Sequence, residues 1–177
     1  MKSYTSNFRI LLTLLVIVLL SACGSGAEKS GEAVSPQTLI ENASFVTLDG
    51  ERVSVSDFPG KVVLVDFWET WCVPCLQAMP TFQQVLEEYP DVFVVLAVSP
   101  GWSDTPEDVK RFKDEYGYDF IWVFDEDEVA AGLQIAGIPY KVFIDPEGKY
   151  ITTELGAGGH QREYSKIVGI LEEQFNR

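Results

Sequence analysis

The segment Trp71-Cys72-Val73-Pro74-Cys75 places two cysteines three positions apart, between an apolar run from Val62 to Trp68 and a stretch with helical periodicity. At the first turn of a helix a thiol faces backbone N–H groups that lack intrahelical partners and the positive end of the helix dipole. These bring thiol pKa values down into a range of about 3.5 to 7.5. The thiolate is the attacking species in disulfide exchange. Cys72 is therefore read as a nucleophile, and Cys75, one helical step on, as the thiol that resolves a mixed disulfide. Pro74 suits a helix start, where its missing N–H breaks no bond. Asp66 lies in the apolar run itself. An ionised carboxylate is costly to bury, so a raised pKa is expected there, and a perturbed acid near a thiol is what proton exchange needs.

Composition removes most competing chemistries. A structural zinc site takes about four ligands, whereas the chain holds 3 cysteines and 1 histidine in all. A c-type haem attachment wants histidine directly after the second cysteine, and Leu76 stands there. A permanently closed structural disulfide stays open as a reading, although so short a loop removes little entropy from the unfolded chain. Asp125-Glu126-Asp127-Glu128 lacks the alternating ligands and central glycine of a calcium loop, and is read as acids preceding a short helix. No cofactor is expected beyond the redox-active pair Cys72–Cys75, and no metal. His160, after two glycines, reads as an exposed turn or helix-cap residue.

Short strand and helix signals alternate from about Thr38, the pattern of an α/β domain. Phe45 to Leu48 and Arg52 to Val55 flank Asp49-Gly50, which favours a two-residue hairpin turn. Val62 to Trp68 reads as a central strand covered on both faces. The motif helix is expected from near Cys72 to about Tyr89, with Phe82, Val85, Leu86 and Tyr89 on one face and a kink at Pro80. A buried strand follows at Val92 to Val98. Thr105-Pro106-Glu107-Asp108 opens a helix with a hydroxyl cap, proline at the first position and acids in the first turn, and Val109, Phe112 and Tyr116 form its apolar stripe. A strand near Phe120 to Phe124, a hairpin of Tyr140 to Ile144 with Tyr150 to Glu154, and an amphipathic helix over 161–175 complete the pattern.

Val65-Asp66-Phe67-Trp68 running into Trp71-Cys72-Val73-Pro74-Cys75, with Gly137-Ile138-Pro139 before a strand, resembles the thioredoxin superfamily. From about Asn42 to Glu173 the order of elements is similar to its TlpA-like, membrane-tethered branch. The resemblance implies a thioredoxin-like α/β fold: a central mixed sheet flanked by helices, with an N-terminal β-hairpin and an inserted crossover. It also implies that Cys72 is the nucleophile, Cys75 the resolving thiol and Asp66 a buried proton acceptor for Cys75. Pro139 would be a cis-proline facing the motif, and Ile138 would pair its backbone with a client strand. Trp71, Val73 and Pro74 join Ile138 as the expected client-binding surface. Ala78 departs from that branch, which commonly carries an acid there, and Tyr140 stands where many relatives have threonine. The implied activity is thiol-disulfide oxidoreduction on exported client proteins, as a reductase of the kind that serves cytochrome c maturation, resupplied by a membrane thiol donor. Val73-Pro74 does not set direction, because potentials of such motifs spread over about 150 mV, roughly 7 kcal/mol. Two other readings are a thiol peroxidase of peroxiredoxin type and a client-binding module without turnover.

The N-terminus reads as an export segment. Lys2 and Arg9 precede an apolar run, Ile10 to Leu20, that is short of the ~20 residues a spanning helix needs. Leu20-Ser21-Ala22-Cys23 resembles the lipobox of bacterial lipoproteins, which implies cleavage before Cys23 and a lipid on its sulfur. Residues 1–22 are thus expected to be a signal peptide, 23–37 a flexible tether reaching roughly 20 Å, and 38–177 the thioredoxin-like domain. The expected location is the outer face of a bacterial membrane, with the membrane itself contacted through the lipid. The 27 acidic residues outnumber 13 basic ones, a formal charge of −14, which argues against nucleic acid as a partner.

Overall fold

The computed structural model describes residues 34–176. The signal-peptide segment 1–22, Cys23 and the tether up to residue 33 lie outside the described residues.

The first element among the described residues is a helix, α1 (Pro36–Glu41), which starts inside the stretch read as tether. Ser35 caps it, its Oγ accepting from Thr38 N at 3.1 Å, with proline at the first turn. Strands β1 (Ser44–Thr47) and β2 (Arg52–Ser54) form the expected hairpin. The connection is longer than two residues: Thr47 N donates to Glu51 O at 2.8 Å, and Gly50 closes the turn at φ 83°. A three-residue loop of this kind needs a left-handed residue at its end, which glycine adopts without a Cβ clash.

The remaining elements are β3 (Val62–Phe67), α2 (Val73–Glu88), β4 (Phe93–Ser99), α3 (Pro106–Tyr116), β5 (Ile121–Phe124), α4 (Val129–Gly132), β6 (Tyr140–Ile144), β7 (Tyr150–Leu155) and α5 (His160–Phe175). Among the described residues seven strands make one sheet in the order β2-β1-β5-β4-β3-β6-β7. Strands β3, β4 and β5 run parallel, and β1, β2, β6 and β7 pair antiparallel around them. This is the mixed sheet with helical cover that the resemblance implies.

Alternation along the strands sorts side chains between two cores. Val62, Leu64 and Trp68 of the β3 segment, with Phe93, Val95 and Ala97 of β4 and Phe143 of β6, pack against α2, α3 and α5. Val63, Val65 and Phe67, with Leu96, Val98, Val142 and Ile144, pack under α1 and α4. Burying each such side chain contributes about 1.5–3 kcal/mol. Trp68 is fully buried, its ring 4.8 Å from Phe112 and 5.3 Å from Trp122, so it belongs to the core. Pro80 lies inside α2 without ending it. Helix α3 starts at Thr105 with a reciprocal capping box to Asp108 and ends at Gly117, φ 66°. Tyr116 stacks on Phe112 at 4.3 Å but stays half exposed. The acids before α4 serve as anticipated: the Asp125 carboxylate accepts from Val129 N at 2.8 Å and Ala130 N at 2.7 Å.

Candidate active site

Strand β3 delivers the chain to the end of the sheet, where Glu69-Thr70-Trp71 turns it into α2. Cys72 is the N-cap of that helix, and its N–H donates to Glu69 O at 2.9 Å. Cys72 and Cys75 are joined by a disulfide. Cys72 Sγ accepts from Cys75 N at 3.3 Å, so it sits where a thiolate would meet the helix N-terminus. Cys72 and Cys75 are buried, while Val73 and Pro74 between them are exposed.

The turn before the motif is held by two acids that sequence reasoning missed. Glu69 is fully buried; one carboxylate oxygen accepts from Trp71 Nε1 at 2.5 Å and the other from Ser103 N at 3.0 Å. Asp104 accepts from Thr70 N at 2.6 Å and from Thr70 Oγ1 at 2.7 Å. The motif loop is thereby tied to the loop that leads into α3, 34 positions away in sequence. Trp71 hangs from this clamp with 56 % of its surface exposed.

The β3–β6 register places the second part of the site. Phe67 is the Cα partner of Tyr140, so Pro139 stands one residue further on, at the sheet end from which the motif departs. The Ile138–Pro139 bond is cis, and Pro139 O accepts from Gly156 N at 2.8 Å. Ile138 is partly buried. A Cβ on Gly137 would lie 3.9 Å from a methyl of Leu155, which is 70 % exposed. This end of the sheet thus presents Trp71, Val73 and Leu155 as exposed apolar groups.

Asp66 lies on β3 between Leu64 and Trp68 and shares the face that packs against α2. It is buried, and neither carboxyl oxygen has a hydrogen-bond partner among the described residues. Burial pushes its pKa up to about 8; the Lys141 charge opposes that rise and Glu163 adds to it. Ala78, where an acid is common in TlpA-like proteins, is buried among apolar neighbours and contributes only a methyl group. His160 is exposed at the head of α5, with its Nδ1 2.8 Å from Thr81 Oγ1. Among the described residues no group of three or more His, Cys, Asp or Glu side chains is arranged to hold a metal ion.

The AhpC/TSA family model matches residues 36–152. Thioredoxin-like protein YneN of Bacillus subtilis is 36 % identical over 106 residues, covering 59 % of this chain and 62 % of YneN. Thiol-disulfide oxidoreductase ResA of the same organism is 29 % identical over 155 residues, covering 86 % of this chain and 83 % of ResA. Among solved structures, the exposed lipoprotein thioredoxin Etrx1 of Streptococcus pneumoniae superposes with a TM-score of 0.62 at 28 % identity, over 75 % of this chain and 98 % of that one.

Proposed function

The chain belongs to the AhpC/TSA family of thioredoxin-like proteins and is a thiol-disulfide oxidoreductase of the ResA type; from that premise we propose that it reduces disulfides of exported client proteins while tethered to a membrane by a lipid on Cys23. The observation that carries the chemistry is the disulfide between a helix N-cap, Cys72, and the buried Cys75 three residues on.

In the proposed cycle the Cys72 thiolate attacks one sulfur of a client disulfide, and the client's other sulfur leaves as a thiolate. Cys75 then yields its proton to the Asp66 carboxylate and attacks Cys72 Sγ. The Cys72–Cys75 disulfide forms, and the client leaves with two electrons gained, its two sulfurs departing as thiolates that take their protons from water. A membrane thiol donor runs the same steps backwards on the oxidised pair. Trp71, Val73, Pro74 and Ile138 line the client's path, and Pro139 holds Ile138 beside the motif. Two features support the reading. Apolar groups are exposed only a few residues from Cys72, and Asp66 is a buried acid held near neutral proton affinity, as a thiol proton partner should be. Tethering is supported by the lipobox-like Leu20-Ser21-Ala22-Cys23 and by a structural relative described as an exposed lipoprotein. A role in cytochrome c maturation is carried over from the TlpA-like resemblance. The peroxidase alternative needs a threonine and an arginine placed to activate peroxide at the thiolate, and the Thr70 hydroxyl is instead engaged by Asp104.

Replacing Cys75 with alanine in the native host tests this. The variant is expected to accumulate mixed disulfides through Cys72 that reducing gels resolve into exported proteins bearing cysteine pairs. A variant that traps nothing, or a wild-type chain that turns over peroxide stoichiometrically, would count against the proposal.

A further inference from the structure

Lys141 is fully buried in β6, and the thiol chemistry above makes no use of it. A lysine inside a sheet is costly unless charges meet it. Two strand registers fix its neighbours: its Cα partners are Asp66 in β3 on one side and Glu154 in β7 on the other. Residues in such a row project from the same face of the sheet, here the face covered by α2 and α5. From α5, Glu163, only 2 % exposed, reaches down: its Oε2 accepts from Lys141 Nζ at 2.5 Å and its Oε1 from Gly158 N at 2.7 Å. Glu154 Oε2 is 3.4 Å from the same Nζ, and Glu154 Oε1 is 2.7 Å from Lys166 Nζ.

One buried cation therefore faces three carboxyl groups. Lys141 and Lys166 balance Glu163 and Glu154, so the row is neutral when Asp66 carries a proton and one charge short when it does not. The short contacts of Lys141 go to the two glutamates, while the Asp66 oxygens have no hydrogen-bond partner among the described residues. The other elements packed on this spot add no charge: β4 contributes Ala97 beside Asp66, α2 contributes Cys75 and apolar groups, and His160 at the head of α5 is exposed and bonded to Thr81.

We infer that Lys141 is a positioning residue for the proton on Asp66: Glu163 and Glu154 draw its charge away, so the carboxyl stays protonated in the disulfide state and supplies that proton when the disulfide opens. A donor dithiol attacks through its thiolate at Cys72 Sγ; the donor–Cys72 bond forms, the Cys72–Cys75 bond breaks, and the electron pair goes to Cys75 Sγ, which takes the Asp66 proton. The donor's second thiolate then displaces Cys72 as a thiolate and leaves as the donor disulfide. On the reverse path the Cys75 thiol returns its proton to Asp66. The inference rests on the proton-transfer role proposed for Asp66.

The test is the pH profile, from pH 5 to 10, of disulfide opening by dithiothreitol in the oxidised full chain, each rate divided by the thiolate fraction of dithiothreitol at that pH, with the 13C shift of the Asp66 carboxyl titrated in parallel. Glu163→Gln and Glu154→Gln remove anions and are expected to lower the pH of both inflections; Lys141→Met removes the cation and is expected to raise it, each by about one pH unit. Lys141→Arg is expected to restore the parent profile. A loss of packing alone does not move these variants in opposite directions. Glu154 lies at the partly exposed end of the row, so its variant reads the sign even if the Lys141 variant fails to fold. Glutamate variants that raise the inflection or leave it in place, or a Lys141→Met shift of the same sign as theirs, while Asp66→Asn abolishes the inflection, would overturn the inference and leave the Asp66 role standing. An inflection that survives Asp66→Asn would overturn both.

Discussion

At Asp66 a single side chain couples chemistry to stability. Burial holds its carboxyl at a pKa of about 8, against 3.8 for the ordinary group, because desolvation of the anion outweighs the attraction of Lys141. The folded chain thus binds a proton more tightly than the unfolded one. Its contribution is fully present below pH 4, falls away as pH rises towards 8 and levels off above that. Asp66→Asn is expected to remove this slope and to stabilise the oxidised protein on the order of 3 kcal/mol at pH 9, with little change at pH 4. Urea unfolding at the two pH values checks it; parent and variant running parallel would contradict it. The cysteine pair and Asp66 were legible because each interrupts a local pattern. Lys141 carries the same signal, a lone charge in the apolar run Tyr140 to Ile144, and pairing the two odd charges of neighbouring strands would have found it. Glu163 and Glu69 give no such signal, since what buries them lies 22 and 34 positions away.

The elements show which local rules act unaided. Helix α3 was readable to its first residue because Thr105, Pro106 and Asp108 write its start in adjacent letters, and the capping box is present as expected. Thr105→Ala is expected to cost about 1 kcal/mol, since it removes the hydroxyl that accepts from Asp108 N and donates to the Asp108 carboxylate at the helix start; a lowered thermal midpoint with unchanged reactivity of the disulfide would show it. Helix α1 was missed although Ser35 and Pro36 carry a start signal, because six residues are too few to display a helical period. The β1–β2 connection was also misjudged. Asp49-Gly50 marks a turn, but whether two or three residues span it depends on the register that Phe45 and Val53 adopt when Phe45 is buried.

On the scale of the whole molecule, the chain carries a formal charge of −14, and its first described helix, α1, begins at Pro36. If the proposed anchoring holds, Cys23→Ser moves the protein from the membrane fraction to the soluble fraction of its host without loss of dithiol activity; a chain that stays with the membrane would exclude the lipid as its tether. The sequence alone determined the cysteine pair at a strand-to-helix junction, the burial of β3 on both faces, and the order of elements from β1 onward, because all of these are set by neighbours a few residues apart. Tertiary structure alone decided that Ile138–Pro139 is cis, that Glu69 and Asp104 clamp the motif loop, and that Asp66, Lys141 and Glu154 stand in one row beneath Glu163. The row follows from the strand order β3-β6-β7 and from the packing of α5 on that face, and the clamp from β3 lying beside β4. Long-range packing sets both, and it leaves no mark within any short window of sequence.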